Sequence, residues 1–425
     1  MFFSSEDGKK LNQRALVQSL TMSQVNKKIL ICFGTRPEAI KLAPIVKEFQ
    51  GRPGFIVRVC VTSQHREMLD QVLELFEIFP DYDLNVMTSG QSLESLTIKV
   101  LESMSSVLSK ENPDCIVVQG DTTTTFASAL SAFYKKIPVA HVEAGLRTYQ
   151  KFSPFPEEIN RQMTSCLTDW HFAPTGRARD ALLGENFPED RIFVVGNTVI
   201  DALLKVVEKA RLSDVTFRKR FEQVDFDKRL LLVTGHRREN FGQGFINICS
   251  AIRNLAKANQ DLEIVYPVHL NPHVQKPVKD LLSDLPNVHL IPPQDYLTFV
   301  WLMDRSYIVL TDSGGVQEEA PSLGKPVLVT RDTTERTEAL DAGVARLVGT
   351  ETEFIVYWVQ RLLDDLNTYQ AMSRPQNPYG DGKSSGQIAE VLEGVLSQSP
   401  DNRTRCGIQG NMTHPENHAL FQNLT

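Results

Sequence analysis

Cys115-Ile116-Val117-Val118-Gln119-Gly120-Asp121-Thr122-Thr123-Thr124-Thr125 is the stretch that decides the fold. Cys115–Val118 is apolar at every position, as a strand covered on both faces requires. Gly120 and Asp121 end that run. Just behind it, Ile137-Pro138-Val139-Ala140 reads as the next strand, followed by His141-Val142-Glu143-Ala144-Gly145-Leu146-Arg147. Both runs deliver an acidic side chain to the carboxyl end of a strand, where open α/β sheets hold their ligands. Two carboxylates and a histidine in one crevice point to proton transfer.

Outward from this stretch, strands and helices alternate. Upstream, Lys28–Phe33 and Ile56–Val61 read as strands, and Pro37–Phe49, Arg66–Phe76 and Leu93–Leu108 as helices. Downstream, Glu157–Leu167 reads as a helix, and Trp170–Ala173 and Arg191–Val195 as strands. After a helical stretch from Val199 the alternation restarts with strands at Leu230–Thr234, Glu263–Val268, Val288–Ile291, Tyr307–Leu310 and Pro326–Val329. The βαβα pattern implies two doubly wound, mostly parallel units. The expected division is an N-terminal extension 1–26, a first domain 27–197, a second domain 198–396 and a polar, disordered tail 397–425. Two such domains facing each other enclose a cleft, a preferred ligand site.

Composition narrows the class. The 425 residues exceed one ordinary core, and 41% hydrophobic with 23% charged residues is the balance of a soluble enzyme. A net charge of −7 argues against a general nucleic-acid binder. No apolar run reaches the roughly 20 residues a membrane helix needs. The six cysteines are widely spaced, without C-x-x-C, and read as reduced thiols of a cytoplasmic protein. Met1–Lys10 has no continuous apolar core and reads as no secretory signal, so the sequons at Asn402, Asn411 and Asn423 read as chance. Neither a G-x-G-x-x-G after the first strand nor a P-loop occurs, so bound NAD and NTP hydrolysis lack sequence support.

Several segments carry chemistry, each with a plainer alternative. Thr311-Asp312-Ser313-Gly314-Gly315-Val316-Gln317-Glu318-Glu319 follows a strand and opens a helix, so small residues let backbone N–H groups approach an anion. The alternative is a tight turn. A glutamate one turn into the helix is placed to accept ribose hydroxyls. Arg36 and Lys41 put two cations at the mouth of the first strand, although Lys41 also suits a solvated helix face. His236, in Gly235-His236-Arg237-Arg238-Glu239-Asn240, faces the cleft or caps a loop. Asp121 is an acid–base candidate or a helix N-cap. Glu157 is another, or an i,i+4 surface partner of Arg161. Glu143, between a strand and a glycine turn, has no common structural role. His269 and His273 are four apart with Pro272 between them, which disfavours a helical metal pair, and no metal is expected.

Taken together these blocks resemble the non-hydrolysing UDP-N-acetylglucosamine 2-epimerases of bacteria, from about Lys27 to about Glu393. The resemblance rests on Phe33–Lys41 (FGTRPEAIK), Gln64–Gln71 (QHREMLDQ), Gly120–Thr125 and His141–Thr148 in the first half. In the second half it rests on Gly235–Asn240, Thr311–Gly324, Arg331–Arg336 and Asn377–Gly382. It implies a GT-B fold of two Rossmann-like domains, a homodimer, and interconversion of UDP-GlcNAc and UDP-ManNAc for envelope polysaccharide. UDP would be eliminated to leave a 2-acetamidoglucal and then added back, with no cofactor. Asp121, Glu143 and Glu157 would move protons, and His236 and Arg36 would stabilise the departing diphosphate. Lys41, Gln294, Phe299, Ser313, Gly314, Gly315, Glu319 and Arg336 would hold UDP, with Phe299 near uracil. Gln64, His65 and Arg66 match a second, allosteric UDP-GlcNAc site, but Glu67 stands where activator-dependent members carry glutamine. Thr337 replaces the usual proline after Thr-Glu-Arg, which would loosen the Arg336 loop.

Three rivals remain on sequence: a hydrolysing epimerase releasing ManNAc and UDP, a GT-B glycosyltransferase, and a non-catalytic UDP-sugar sensor. A glycosyltransferase would not need the Asp121, Glu143 and Glu157 set.

Overall fold

The computed structural model describes residues 26–63, 66–88, 90–374 and 377–397. The expectations for residues 1–25, for the tail from residue 398 with its sequons, and for Gln64 and His65 lie outside the described residues. Two all-parallel sheets organise the chain. The first has order β3-β2-β1-β4-β5-β6-β7, from β1 (Lys27–Phe33), β2 (Phe55–Val61), β3 (Tyr82–Asp83), β4 (Cys115–Gln119), β5 (Val139–Val142), β6 (Trp170–Ala173) and β7 (Ile192–Val194). The second has order β10-β9-β8-β11-β12-β13, from β8 (Arg229–Thr234), β9 (Leu262–Pro267), β10 (Val288–Ile291), β11 (Ile308–Thr311), β12 (Val327–Val329) and β13 (Ala345–Leu347). Each is a doubly wound Rossmann-like sheet, and the pair forms a GT-B-like α/β fold. Strand order reverses between β1 and β4 and again between β8 and β11. The crevice for a ligand opens at those two points.

Burial explains why the strands lack polar alternation. Every residue of β4 is buried, and Ile29 to Phe33 in β1 are wholly inaccessible. Each such side chain contributes roughly 1.5–3 kcal/mol relative to exposure. One expectation needs correction. The second strand of the opening stretch is Val139–Val142 rather than Ile137–Ala140. Pro138 has no N–H to give to a ladder. Its carbonyl only accepts from Ile116 N at 2.9 Å, and pairing begins at Ile116↔Val139. His141 therefore lies inside the strand, not beyond it.

The halves are joined by more than the chain. The helix Thr198–Leu212 places Val199, Leu203, Val206 and Ala210 on one buried stripe. It packs on the helix Arg36–Gln50 of the first half and on Tyr296–Arg305 of the second. Buried Asp201 on this helix accepts from Ser384 N, Ser385 N and Ser385 Oγ. These contacts hold the start of the last helix, Ser384–Ser397, which returns to the first half, where Arg52 pairs with Glu393 at 2.8 Å. Among the described residues, no helix is long and apolar enough to cross a membrane.

Candidate active site

The first strand end is built around a residue that the chemistry-bearing motifs did not single out. Thr35 caps the helix Arg36–Gln50 in a reciprocal box with Glu38. Buried Glu38 accepts from Gly34 N at 3.0 Å and Thr35 N at 2.8 Å. Its other oxygen accepts from the hydroxyls of Thr122 at 2.7 Å and Thr125 at 3.0 Å. One carboxylate thus pins the loop after β1 to the loop after β4. Burial pushes its pKa up, against these donors. A Cβ on Gly34 would lie 2.1 Å from Thr62 Oγ1, so the approach of β1 to its neighbours demands glycine. Thr-x-x-Glu before an apolar run was the available signal. Arg36, at the start of the helix, is exposed, and its charge acts on both His236 and Glu319 across the cleft.

Thr122, not Asp121, is the N-cap of the helix Thr123–Tyr134, accepting from Thr125 N at 3.1 Å. The capping alternative for Asp121 therefore falls, and its carboxylate is left for the cleft. It meets Arg161 Nε at 3.6 Å. Burial pushes Asp121 up to about 6 against the pull of Arg161, and the charges of Glu143 and Glu157 push the same way. Its loop is held from behind by His141, whose Nε2 meets Gly120 O at 2.7 Å. Burial lowers His141 to about 4, so it stands neutral at pH 7.

Glu143 sits just past β5 with φ +63°, a left-handed conformation that a non-glycine residue adopts only when its surroundings impose it. Both its oxygens face Lys41 Nζ, at 2.7 and 2.6 Å, and Gln119 Nε2 donates to it as well. Burial pushes Glu143 up, but Lys41, Arg336 and Arg161 outweigh it and hold the carboxyl below its ordinary value. Lys41 is thus half-buried in the cleft, its side chain 13% exposed, rather than on a solvated helix face. Glu157 opens the helix Glu157–Leu167, half-buried, close enough to perturb Asp121. The alternative, a surface pair with Arg161, does not form. Arg161 is buried and pairs instead with Asp121 and, at 3.2 Å, with Glu158.

The second half supplies the opposite wall. Asp312, fully buried after β11, accepts from His236 N and Arg237 N, both at 2.8 Å, which fixes the loop after β8. The His236 ring stacks on His269 at 5.3 Å, and burial together with Arg237 and His269 lowers its pKa despite Asp312. His273 stacks on Phe241 instead, so the two histidines do not converge. Glu319 accepts from Tyr296 Oη at 2.5 Å, and burial with the Glu318 charge pushes it up to about 7. Tyr296 shares its helix, Tyr296–Arg305, with half-buried Phe299. Gln294, just before that helix, accepts from Arg220 at 2.9 Å. Ser313 precedes Gly314, against which the Arg336 guanidinium rests, and Gly315 is exposed.

Arg336 is clamped by Glu318 at 2.9 Å and Glu335 at 2.8 Å, which raise its pKa despite burial. Thr337, which stands where proline is usual, accepts through its hydroxyl from Arg177 of the first half. Of the three residues matched to a second site, Arg66 is described; it lies exposed on the helix Arg66–Leu75 and pairs with Asp83 at 3.1 Å.

The site therefore joins two sets of groups. Carboxylates follow β4 and β5, and cations and a histidine face them from both halves. The family model for UDP-N-acetylglucosamine 2-epimerase matches residues 47–393. A UDP-N-acetylglucosamine 2-epimerase of Salmonella typhimurium is 58% identical over 369 residues, covering 86% of this chain and 98% of that protein. One of Escherichia coli K12 is 57% identical over 369 residues, with the same coverage. The crystal structure of UDP-GlcNAc 2-epimerase from Neisseria meningitidis bound to UDP-GlcNAc has a TM-score of 0.81 at 53% identity, covering 86% of this chain and all of that one. Sequence and architecture agree across the body of the fold, and this chain belongs to the UDP-N-acetylglucosamine 2-epimerase family.

Proposed function

We propose that this protein inverts C2 of UDP-GlcNAc to give UDP-ManNAc, reversibly, in the cleft between its two sheets. The observation that carries the proposal is the pairing of Lys41 with Glu143, next to an Asp121 whose carboxyl titrates near 6. The C2 hydrogen is only weakly acidic, so its removal must accompany departure of the group at C1. A carboxylate takes the proton, the C2–H electrons become the C1–C2 double bond of a 2-acetamidoglucal, and the C1–O pair leaves with UDP. Reprotonation on the opposite face and return of UDP complete the inversion. Carboxylates on two sides of the sugar are required, and Asp121, Glu143 and Glu157 are the candidates. As coupled groups they titrate as a set.

The leaving diphosphate needs positive charge in a water-poor site. Arg36, Lys41, Arg336 and His236 would meet it, with Ser313, Gly314 and Gly315 giving close backbone approach. Glu319 would hold the ribose, and Gln294 and Phe299 the uracil. The enzyme would work as a cytoplasmic homodimer, for which exposed Ile98, Phe133 and Tyr134 on neighbouring helices offer an apolar face. Proton NMR of UDP-GlcNAc with the enzyme in D2O tests the proposal. Deuterium enters at C2 while the UDP-ManNAc anomeric signal grows. ManNAc with free UDP would mark a hydrolase, and binding without exchange a sensor; either result refutes the reading.

A further inference from the structure

One buried carboxylate in this cleft has no role in the chemistry above. Glu318 is 3% exposed and stands beside Glu319 in the second half. It accepts from Arg336 Nε at 2.9 Å and from Asn197 Nδ2 at 3.2 Å, the residue that caps the connecting helix Thr198–Leu212. Its Oε2 also lies 3.8 Å from Lys41 Nζ of the first half. A single side chain therefore contacts both walls of the cleft and the segment between them. The main-chain carbonyl of Glu318 accepts from Asn377 Nδ2 at 3.2 Å, which fixes its backbone as well.

Lys41 is consequently shared. Glu143 holds it closely, and Glu318 draws it from the other side. Glu143 is further faced by Gln119 from β4, by Asp121 after β4, by neutral His141 from β5, by Arg161 from the helix Glu157–Leu167, and by Arg336 from the second half. Two cations, Lys41 and Arg336, are thereby matched by Glu143, Glu318 and Glu335 before any anion arrives.

We propose that Glu318 is a positioning residue that competes with Glu143 for Lys41 and holds Arg336 at the diphosphate site, so that diphosphate binding and release of the Glu143 carboxylate are one event. This rests on the function proposed above. An incoming diphosphate draws Lys41 and Arg336 toward itself. Glu143 then loses its closest cation, and its affinity for a proton rises when C2 must give one up. Without Glu318, Lys41 settles on Glu143 alone and its release becomes harder.

Glu318→Gln keeps the shape and removes only the charge. A negative charge beside both cations is lost, and this outweighs the firmer hold of Glu143 on Lys41, so UDP itself, titrated calorimetrically, should bind about 3- to 10-fold tighter. In the same variant kcat should fall about tenfold or more, and the acid limb of kcat should move to lower pH, because Glu143 is held more firmly. Glu318→Asp restores the charge and should return both UDP affinity and the pH limb toward wild type. Weaker UDP binding with an unshifted limb, unchanged kinetics, or failure of both variants to fold would make Glu318 mere scaffold and overturn the proposal. Wild-type exchange at C2 in D2O is the control. If wild type exchanges and the variants show none of these shifts, only this inference fails. If wild type does not exchange, the parent reading fails, and UDP affinity alone still decides whether Glu318 restrains the cations.

Discussion

Replacing Asp121 with asparagine should stabilise the fold while it removes activity, and the gain should depend on pH. The carboxyl titrates at about 6 in the folded protein, against about 3.9 in an unfolded chain. Its folded value is raised, so the folded state binds the proton more tightly and stability falls as pH climbs from 4 through 6. At about 1.4 kcal/mol per pKa unit, ionised Asp121 costs about 3 kcal/mol at pH 8, about 1.5 at pH 5 and about 0.5 at pH 4. Asparagine avoids that cost, and Arg161 keeps Glu158 as its partner. Urea unfolding followed by tryptophan fluorescence should show Asp121→Asn more stable than wild type at pH 8, by about 1.5 kcal/mol more than at pH 5. Turnover should drop by about 10²-fold or more, as for loss of a proton-transferring group. A difference flat across pH, or one that grows as pH falls, would refute the reasoning, because Asp121 would then not be held in its raised state by burial.

Three further outcomes follow from the same geometry. Arg161→Gln removes the cation 3.6 Å from Asp121; the acid limb of kcat/KM should rise by about one unit above the wild-type value while Arg161→Lys leaves it in place, and a limb that stays put or falls in the glutamine variant disproves the pairing. Glu143→Gln should fold and bind UDP with at least wild-type affinity, since Lys41 is freed, yet exchange C2 hydrogen about 10²-fold more slowly in D2O; near-native exchange removes Glu143 from the chemistry. Gly34→Ala drives a Cβ against Thr62 and Thr124; about 1–3 kcal/mol of stability should be lost in urea titrations, and a loss under about 0.5 kcal/mol would mean the strand end yields easily.

How much of this was legible beforehand divides along a physical line. Runs such as Cys115–Val118 and Leu230–Thr234 could be read as strands because full burial forbids polar residues on either face. The ends of those strands, and the polar residues after them, Asp121 and His236, came with the same signal. Ile137–Ala140 misled because an apolar run does not reveal which of its amides can donate, and Pro138 cannot. Asp121 as a cap was equally open, since Asp-Thr offers two capping side chains and only the backbone chooses Thr122. Glu38 was readable as half of a capping box, but its grip on Thr122 and Thr125, over 80 residues away, was not. Glu318 was less visible still. Two adjacent glutamates on a helix look alike in sequence, and only the fold turns one toward Tyr296 and the other toward Lys41 and Arg336.

That last contrast bears on how a site of this kind stays folded while empty. A pocket made for a diphosphate gathers cations, and gathered cations repel one another in a buried cleft. Here Lys41 and Arg336 do not face each other bare: Glu143, Glu318 and Glu335 separate and neutralise them. Burial alone would depress a lysine, yet Lys41 is raised because Glu143 and Glu318 outweigh burial. The acidic groups needed for proton transfer thus also stabilise the cations needed for the leaving group. The reverse holds too, since Lys41 keeps Glu143 ionised where burial would protonate it. Neither wall of the cleft could be stripped of charge without leaving a half-buried ion unpaired in the other. The mutual dependence gives a physical reason for acid–base residues and diphosphate-holding residues to occur as one set in this chain.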